Sequence, residues 1–269
     1  MGKDLTKINT NNIKAFFFDN DSTVFNHSGI GKEILDSTYE GIKKLKDKGY
    51  KVCMITSRGY EEMYNVPKDF LELFDDVCLL SGGYIMSKDG IEMKAIDQDV
   101  VRKIIDKIDT MDVTYRYATK DGGGYLNRHD ESKESIFKEL YDMVPGIKKY
   151  DNEEVLHLLI YFDKEKADKL HEEIKDVEYS HVGTCAEIGA LGVDKGLTLV
   201  KMAKKYGLDL SQTCAFGDSG NDVSMFNKAG LAICLGNGKE DAKEASDYIT
   251  GNVWEDGLYN ALKHFKFID

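Results

Sequence analysis

The run IKAFFFDND, Ile13 to Asp21, constrains the fold more than any other stretch of this chain. Successive strand residues point to opposite faces, so Phe16, Phe17 and Phe18 would make a strand apolar on both sides. Such a strand belongs in the middle of a parallel sheet with helices covering each face. Two carboxylates, Asp19 and Asp21, stand where it ends.

The same rhythm continues downstream. Ile34, Leu35, Ile42 and Leu45 at helical spacing predict a helix over Gly31 to Lys48, stopped by Gly49. YKVCMIT then reads as a strand, KDFLELF as a helix and DVCLLSGG as a third strand. Near the C-terminus DKGLTLVKMAKKYGL, QTCAFGD, NDVSMFNKAG, LAICLG, KEDAKEA, DYIT and VWEDGLYNALKHF alternate helix and strand again. Between these halves IEMKAI, DVTYRYAT, GGYLNR, VLHLLIYFD and VEYSHVG read as strands around three helices, the pattern of an inserted α+β domain. The expected fold is α/β: a parallel sheet between helices, interrupted by a second unit.

Length and charge narrow the function. The 269 residues carry 36 basic and 48 acidic side chains, a net charge of −12 with no basic cluster. Nucleic acid and anionic membrane are therefore not expected partners. The five cysteines are scattered without paired short spacing, which reads as free thiols in a reducing compartment. The opening MGKDLTKINTNNIK has no apolar core and reads as a flexible start, not a secretory signal or a lipidation site. No apolar run approaches membrane-spanning length, so a cytoplasmic protein is expected. The six histidines show no zinc-type spacing and read as scattered surface or core residues.

Ligands of open α/β sheets sit beyond the carboxyl ends of the strands. Four polar clusters fall at predicted strand ends or helix starts: DNDST at 19–23, TSR at 56–58, DKG at 194–196 and GDSGND at 217–222. Each alone is also what a turn or a helix cap uses. Together Asp19, Asp21, Asp218 and Asp222 would make an oxygen-rich nest suited to Mg²⁺. Lys195 and Thr56 would serve an anion held against that cation, and a phosphoryl group fits best.

Through these motifs the chain resembles the haloacid dehalogenase-like phosphohydrolases of the Cof-type branch, along essentially its whole length. The resemblance rests on FFFDNDSTV, MITSRG, GVDKGLTL and GDSGNDVSMF. It implies a Rossmann-like three-layer α/β/α core, residues 1–83 and 188–269, with an α+β cap over 84–187 that closes on the leaving group. It implies Asp19 as the nucleophile that becomes an aspartyl-phosphate and Asp21 as the acid/base. Thr56 and Lys195 match the phosphate-positioning pair, Ser57 offers a second hydroxyl, and Asn221 matches a residue that contacts phosphate and helps hold the lysine. Mg²⁺ would be held by Asp19, the backbone carbonyl of Asp21 and Asp218, with Asp222 supporting through water or from behind.

For both aspartates to work at neutral pH, Asp19 should stay ionised while local hydrogen bonding lets Asp21 hold a proton. Ser22 stands where the family pattern has glycine, and Ser81 where it has asparagine. The cap stretch DGGGYLNRHD offers Tyr125, Asn127 and Arg128 as substrate-specificity candidates, or is a solvent-exposed hairpin turn. Tyr115, Tyr117 and Tyr161, on alternating cap strands, read as packing residues. The expected activity is Mg²⁺-dependent hydrolysis of a small phosphorylated metabolite, such as a sugar phosphate or pyridoxal phosphate, by a monomer or weak homodimer. Two alternatives are a phospho-ligand sensor with turnover impaired by Ser22, and a sugar phosphomutase.

Overall fold

The computed structural model describes residues 10–27, 31, 33–182 and 184–269. The N-terminal stretch MGKDLTKINTNNIK lies mostly outside them. In chain order the strands are β1 (Ala15–Phe18), β2 (Lys51–Ile55), β3 (Asp76–Leu79), β4 (Tyr84–Ser87) and β5 (Gly90–Met93). Then come β6 (Thr114–Thr119), β7 (Gly124–Leu126), β8 (Gly146–Ile147), β9 (Val155–Tyr161), β10 (Val177–Val182) and β11 (Cys185–Ala190). The chain closes with β12 (Thr213–Gly217), β13 (Leu231–Cys234) and β14 (Tyr248–Ile249).

The larger sheet runs β14-β13-β12-β1-β2-β3-β4-β5, parallel from β14 to β3. Its central strand β1 is wholly buried. Phe16 and Phe18 pack on one side with Ile42 and Leu45 of the helix Asp36–Asp47 and with Leu258 and Leu262 of Gly257–His264. Phe17 packs on the other side with Leu199 and Met202 of Lys195–Lys205. Burying each phenylalanine contributes about 1.5–3 kcal/mol, which anchors the strand whose end carries the two aspartates.

Tyr84–Ser87 and Gly90–Met93, expected within the insertion, pair antiparallel onto β3 and extend the larger sheet instead. Their hairpin continues an existing edge, so its backbone groups find partners there. The insertion's own sheet runs β10-β11-β9-β6-β7-β8, and β11 carries it past residue 187 to Ala190.

Period-two alternation divides that second sheet. Tyr115, Tyr117, Leu158, Ile160, Ala186 and Ile188 form a core with Val101, Ile104 and Ile108 of the helix Gln98–Asp109. The intervening residues Arg116, His157, Leu159, Tyr161, Cys185 and Glu187 line a cavity shared with the larger sheet. None of the five cysteines is in a disulfide among the described residues. Among the described residues no helix is long and apolar enough to cross a membrane.

Candidate active site

β1 and β12 are neighbours, while the chain leaves β1 towards β2 and returns on the opposite side through β12. This switch point opens a crevice at the strands' carboxyl ends. Asp19 follows β1 there and Asp218 follows β12.

Lys195 comes from the insertion's far side, at the first position of its helix. Asp194 caps that helix, its Oδ1 accepting from Leu197 N at 2.6 Å. A cation at a helix N-terminus opposes the helix dipole, so local stability does not explain this lysine. Its partners do: Lys195 Nζ lies 2.7 Å from Asp19 Oδ1 and 2.7 Å from Asp222 Oδ1, with the side chain 1% exposed.

Asp222 is fully engaged. Its second oxygen accepts the backbone N–H groups of Asp218 at 2.9 Å and Ser219 at 3.0 Å. A Cβ on Gly217 would lie 2.5 Å from Asp222 Cγ, so only glycine lets the loop close over that carboxylate. Asp222 therefore holds the loop and the lysine from behind.

Asp19, Asp218 and Asp222 offer oxygens within 4.8 Å of one another, and all three residues are buried. Burial raises Asp19 to about 7, against the lowering pull of Lys195 and with Asp222 and Asp21 adding repulsion. Burial and the neighbouring carboxylates likewise push Asp218 well above its usual range. Carboxylates crowded until they resist ionisation are the donor set a divalent cation would relieve.

Asp21 differs from expectation. Burial favours its neutral form, but Arg58 and His27 overcome that and hold its carboxyl well below the usual range. Arg58 donates from Nε to Oδ2 at 2.9 Å and from Nη2 to Oδ1 at 2.6 Å, and His27 Nε2 lies 2.5 Å from Oδ1. Asp21 is expected from sequence to hold a proton, whereas the fork of a buried guanidinium favours its ionised form. Arg58 is itself fully buried, between the rings of Phe25 and Tyr141.

The remaining candidates separate. Ser57 and Asn221 line the cavity; Thr56 is fully buried, and its hydroxyl accepts Arg58 N–H at 3.2 Å across the turn. Asn221 donates towards Glu187 at 3.3 Å, and burial raises the Glu187 carboxyl. Ser22 adopts φ +57°, the left-handed conformation that glycine takes without strain. Ser81 also stands at φ +57°.

Tyr125, Asn127 and Arg128 lie off the cavity. Tyr125 packs on Tyr117, Asn127 bonds the backbones of Tyr115 and Val113, and Arg128 pairs with Asp112 and Thr114. Asn127 and Arg128 tie the flank of β7 to the start of β6, and the loop before β7 is a hairpin turn whose Gly123 and Gly124 are buried, not solvent-exposed.

The cavity measures about 500 Å³. Its floor includes Asp19, Asp21, Lys195 and Asp218; its roof includes Arg116, His157, Tyr161 and Glu187; Phe137, Leu140 and Tyr141 form an apolar wall. His157, lowered to about 3 by burial and by the charge of Arg116, is neutral. Sequence reasoning passed over Arg58, His27, Glu62, Arg116, His157 and Glu187. Arg58 alone had a visible signal, adjoining the TS pair within MITSRG.

A carboxylate-bearing strand end, a buried lysine, a carboxylate nest and a roofing α+β insertion fit a phosphoryl-transfer hydrolase. The chain belongs to the haloacid dehalogenase-like hydrolases, whose family profile matches residues 16–262, and it is a phosphatase of the Cof-type branch. It is 28% identical over 263 residues to the 5-amino-6-(5-phospho-D-ribitylamino)uracil phosphatase YcsE of Bacillus subtilis, covering 94% of this chain and 96% of that protein. Its fold superposes on the HAD subclass IIB sugar phosphatase BT4131 with a TM-score of 0.86 and 27% identity, over 95% of this chain and 100% of the other. BT1666 from Bacteroides thetaiotaomicron gives 0.82 at 27% identity, over 95% and 96%.

Proposed function

We propose that this protein is a Mg²⁺-dependent phosphomonoesterase that acts on a small phosphorylated metabolite through an aspartyl-phosphate on Asp19. The observation that carries this reading is Lys195 Nζ held 2.7 Å from Asp19 at the floor of a roofed cavity. The carboxylates of Asp19 and Asp218, with the backbone carbonyl of Asp21, would hold Mg²⁺, which supplies positive charge against the phosphoryl oxygens.

Asp19 attacks phosphorus and the bond to the leaving oxygen breaks, while Asp21 supplies that oxygen with a proton. An arriving phosphoryl dianion is a like charge beside Asp21 and raises its proton affinity, which prepares it for this step. Water then attacks the phosphorus of the aspartyl-phosphate, Asp21 accepts its proton, and inorganic phosphate leaves. Lys195 and Asn221 position the phosphoryl group, with Ser57 as the cavity-facing hydroxyl.

The cavity of about 500 Å³ and the net charge of −12 favour a small monoester over nucleic acid or a membrane partner. Sugar phosphates and ribityl phosphates, the substrates named for the relatives, set the first panel. We also propose a cytoplasmic monomer or weak homodimer. Ser22 keeps the turn that the family glycine would make, so the sensor alternative gains no support from the geometry.

The test is phosphate release across a metabolite panel with Mg²⁺, with Asp19→Asn in parallel. Release abolished by that substitution is expected. A wild-type protein that releases no phosphate from any monoester refutes the proposal.

A further inference from the structure

We propose that Arg116, in the inserted domain, is a positioning residue for catalysis that acts through Glu62 and Arg58 on the carboxylate of Asp21. The inference rests on the phosphomonoesterase reading above. Arg116 Nη2 lies 2.7 Å from Glu62 Oε1, the two side chains 3% and 5% exposed. A charged pair this deep is costly to desolvate, and Arg116 Nε finds no hydrogen-bond partner, so the Glu62 carboxylate carries the charge.

Both domains build that geometry. A Cβ on Gly59 of the core would lie 2.4 Å from Arg116 Nη2, and one on Gly124 of the insertion 2.8 Å from the same atom. The guanidinium fills a slot that exists because both positions lack a side chain.

From this pair the contacts run without a break to Asp21. Glu62 Oε2 accepts Gly59 N–H at 2.5 Å, and the Glu62 carbonyl accepts from Arg58 Nη1 at 2.8 Å. These bonds close the turn on which Arg58 sits. The other two Arg58 nitrogens grip Asp21. The insertion touches the same turn again: Tyr141 covers the Arg58 guanidinium at 4.6 Å, Asn65 Nδ2 donates to Leu140 O at 3.0 Å, and Gly124 N donates to Glu61 Oε2 at 3.2 Å. The support for Asp21 is complete only when the inserted domain is seated.

A pair that merely joined two domains would affect all substrates alike. A pair that orients the proton donor discriminates by leaving group, because p-nitrophenolate departs without a proton and an alkoxide does not. We would therefore measure kcat/KM with Mg²⁺ for p-nitrophenyl phosphate and for the alkyl monoester hydrolysed fastest, in wild type, Arg116→Met, Glu62→Gln and Asp21→Asn.

The expected result is a fall of about tenfold or more in the alkyl-to-aryl ratio for Arg116→Met and Glu62→Gln, in the same direction as Asp21→Asn. Arg116→Met should then change the ratio little on the Asp21→Asn background. Thermal unfolding checks that each variant is folded; if Arg116→Met is not, the Glu62→Gln ratio decides. A ratio unchanged within about twofold overturns the proposal, as does a wild type active only on the aryl ester. A wild type inactive on both esters overturns the phosphomonoesterase reading itself.

Discussion

Replacing Lys195 with methionine probes the site at its electrostatic centre. The ammonium sits 2.7 Å from Asp19 and from Asp222, with Asp218 beside them. Methionine keeps most of the side chain's volume and leaves three buried carboxylates without their cation. Removing one partner of a buried pair costs about 3–5 kcal/mol. At about 2–4 °C per kcal/mol for a chain of this size, Tm should fall by roughly 6–20 °C in Mg²⁺-free buffer.

The substitution also acts on Asp19, the proposed nucleophile. Burial already raises Asp19 to about 7, and Lys195 is the largest influence pulling it down. Without the lysine it rises further, and each unit costs about tenfold in ionised fraction at neutral pH. kcat on the best monoester with Mg²⁺ should drop at least about 100-fold, because the buried ammonium that would stabilise the phosphoryl charge is gone.

The sign of the stability effect follows from the raised pKa. A carboxyl raised from 3.8 to about 7 in the fold stabilises least once it is ionised, so the wild-type metal-free protein loses stability as pH climbs between those values. In Lys195→Met that loss extends to higher pH. Calorimetry across pH and a pH–rate profile measure both quantities. A variant that melts within about 2 °C of wild type and keeps its acid limb would refute the reasoning.

Three further outcomes follow from the same geometry. Ser22→Gly removes a left-handed cost of about 1–2 kcal/mol and adds back about 0.5–1 kcal/mol of unfolded-state entropy, so thermal unfolding should show a small net gain; a clear loss counts against strain at that turn. Asp218→Asn relieves carboxylate repulsion, so the metal-free variant should melt above wild type, while the Mg²⁺ needed for half-maximal rate rises about tenfold or more. Mg²⁺ binding near neutral pH should release protons from Asp19 and Asp218, measured in weakly buffered solution; binding without release would contradict the raised carboxyls.

The layers and the residues that meet at the cavity floor were legible from the chain's pattern. Phe16 to Phe18 can be buried on both faces only inside a covered parallel sheet, so the strand, and the place of Asp19 beyond it, were legible from local pattern. GDSGND and DKG fell at equivalent places in the rhythm, which was enough to bring Asp218, Asp222 and Lys195 to one edge.

Tertiary structure alone decided the rest. The cavity roof is drawn from alternate residues of three strands far apart in the chain, and which face of a strand turns to the catalytic floor depends on what packs behind it. That is why Tyr115 and Tyr117 fell into the cap core while Arg116 between them reached Glu62. Tyr125, Asn127 and Arg128 had the right chemistry, but Tyr125 packs on Tyr117 and the other two bond to the start of β6. The charge on Asp21 likewise follows from Arg58, 37 residues away, because a carboxylate's proton affinity is set by the groups the fold places against it and not by its neighbours in sequence.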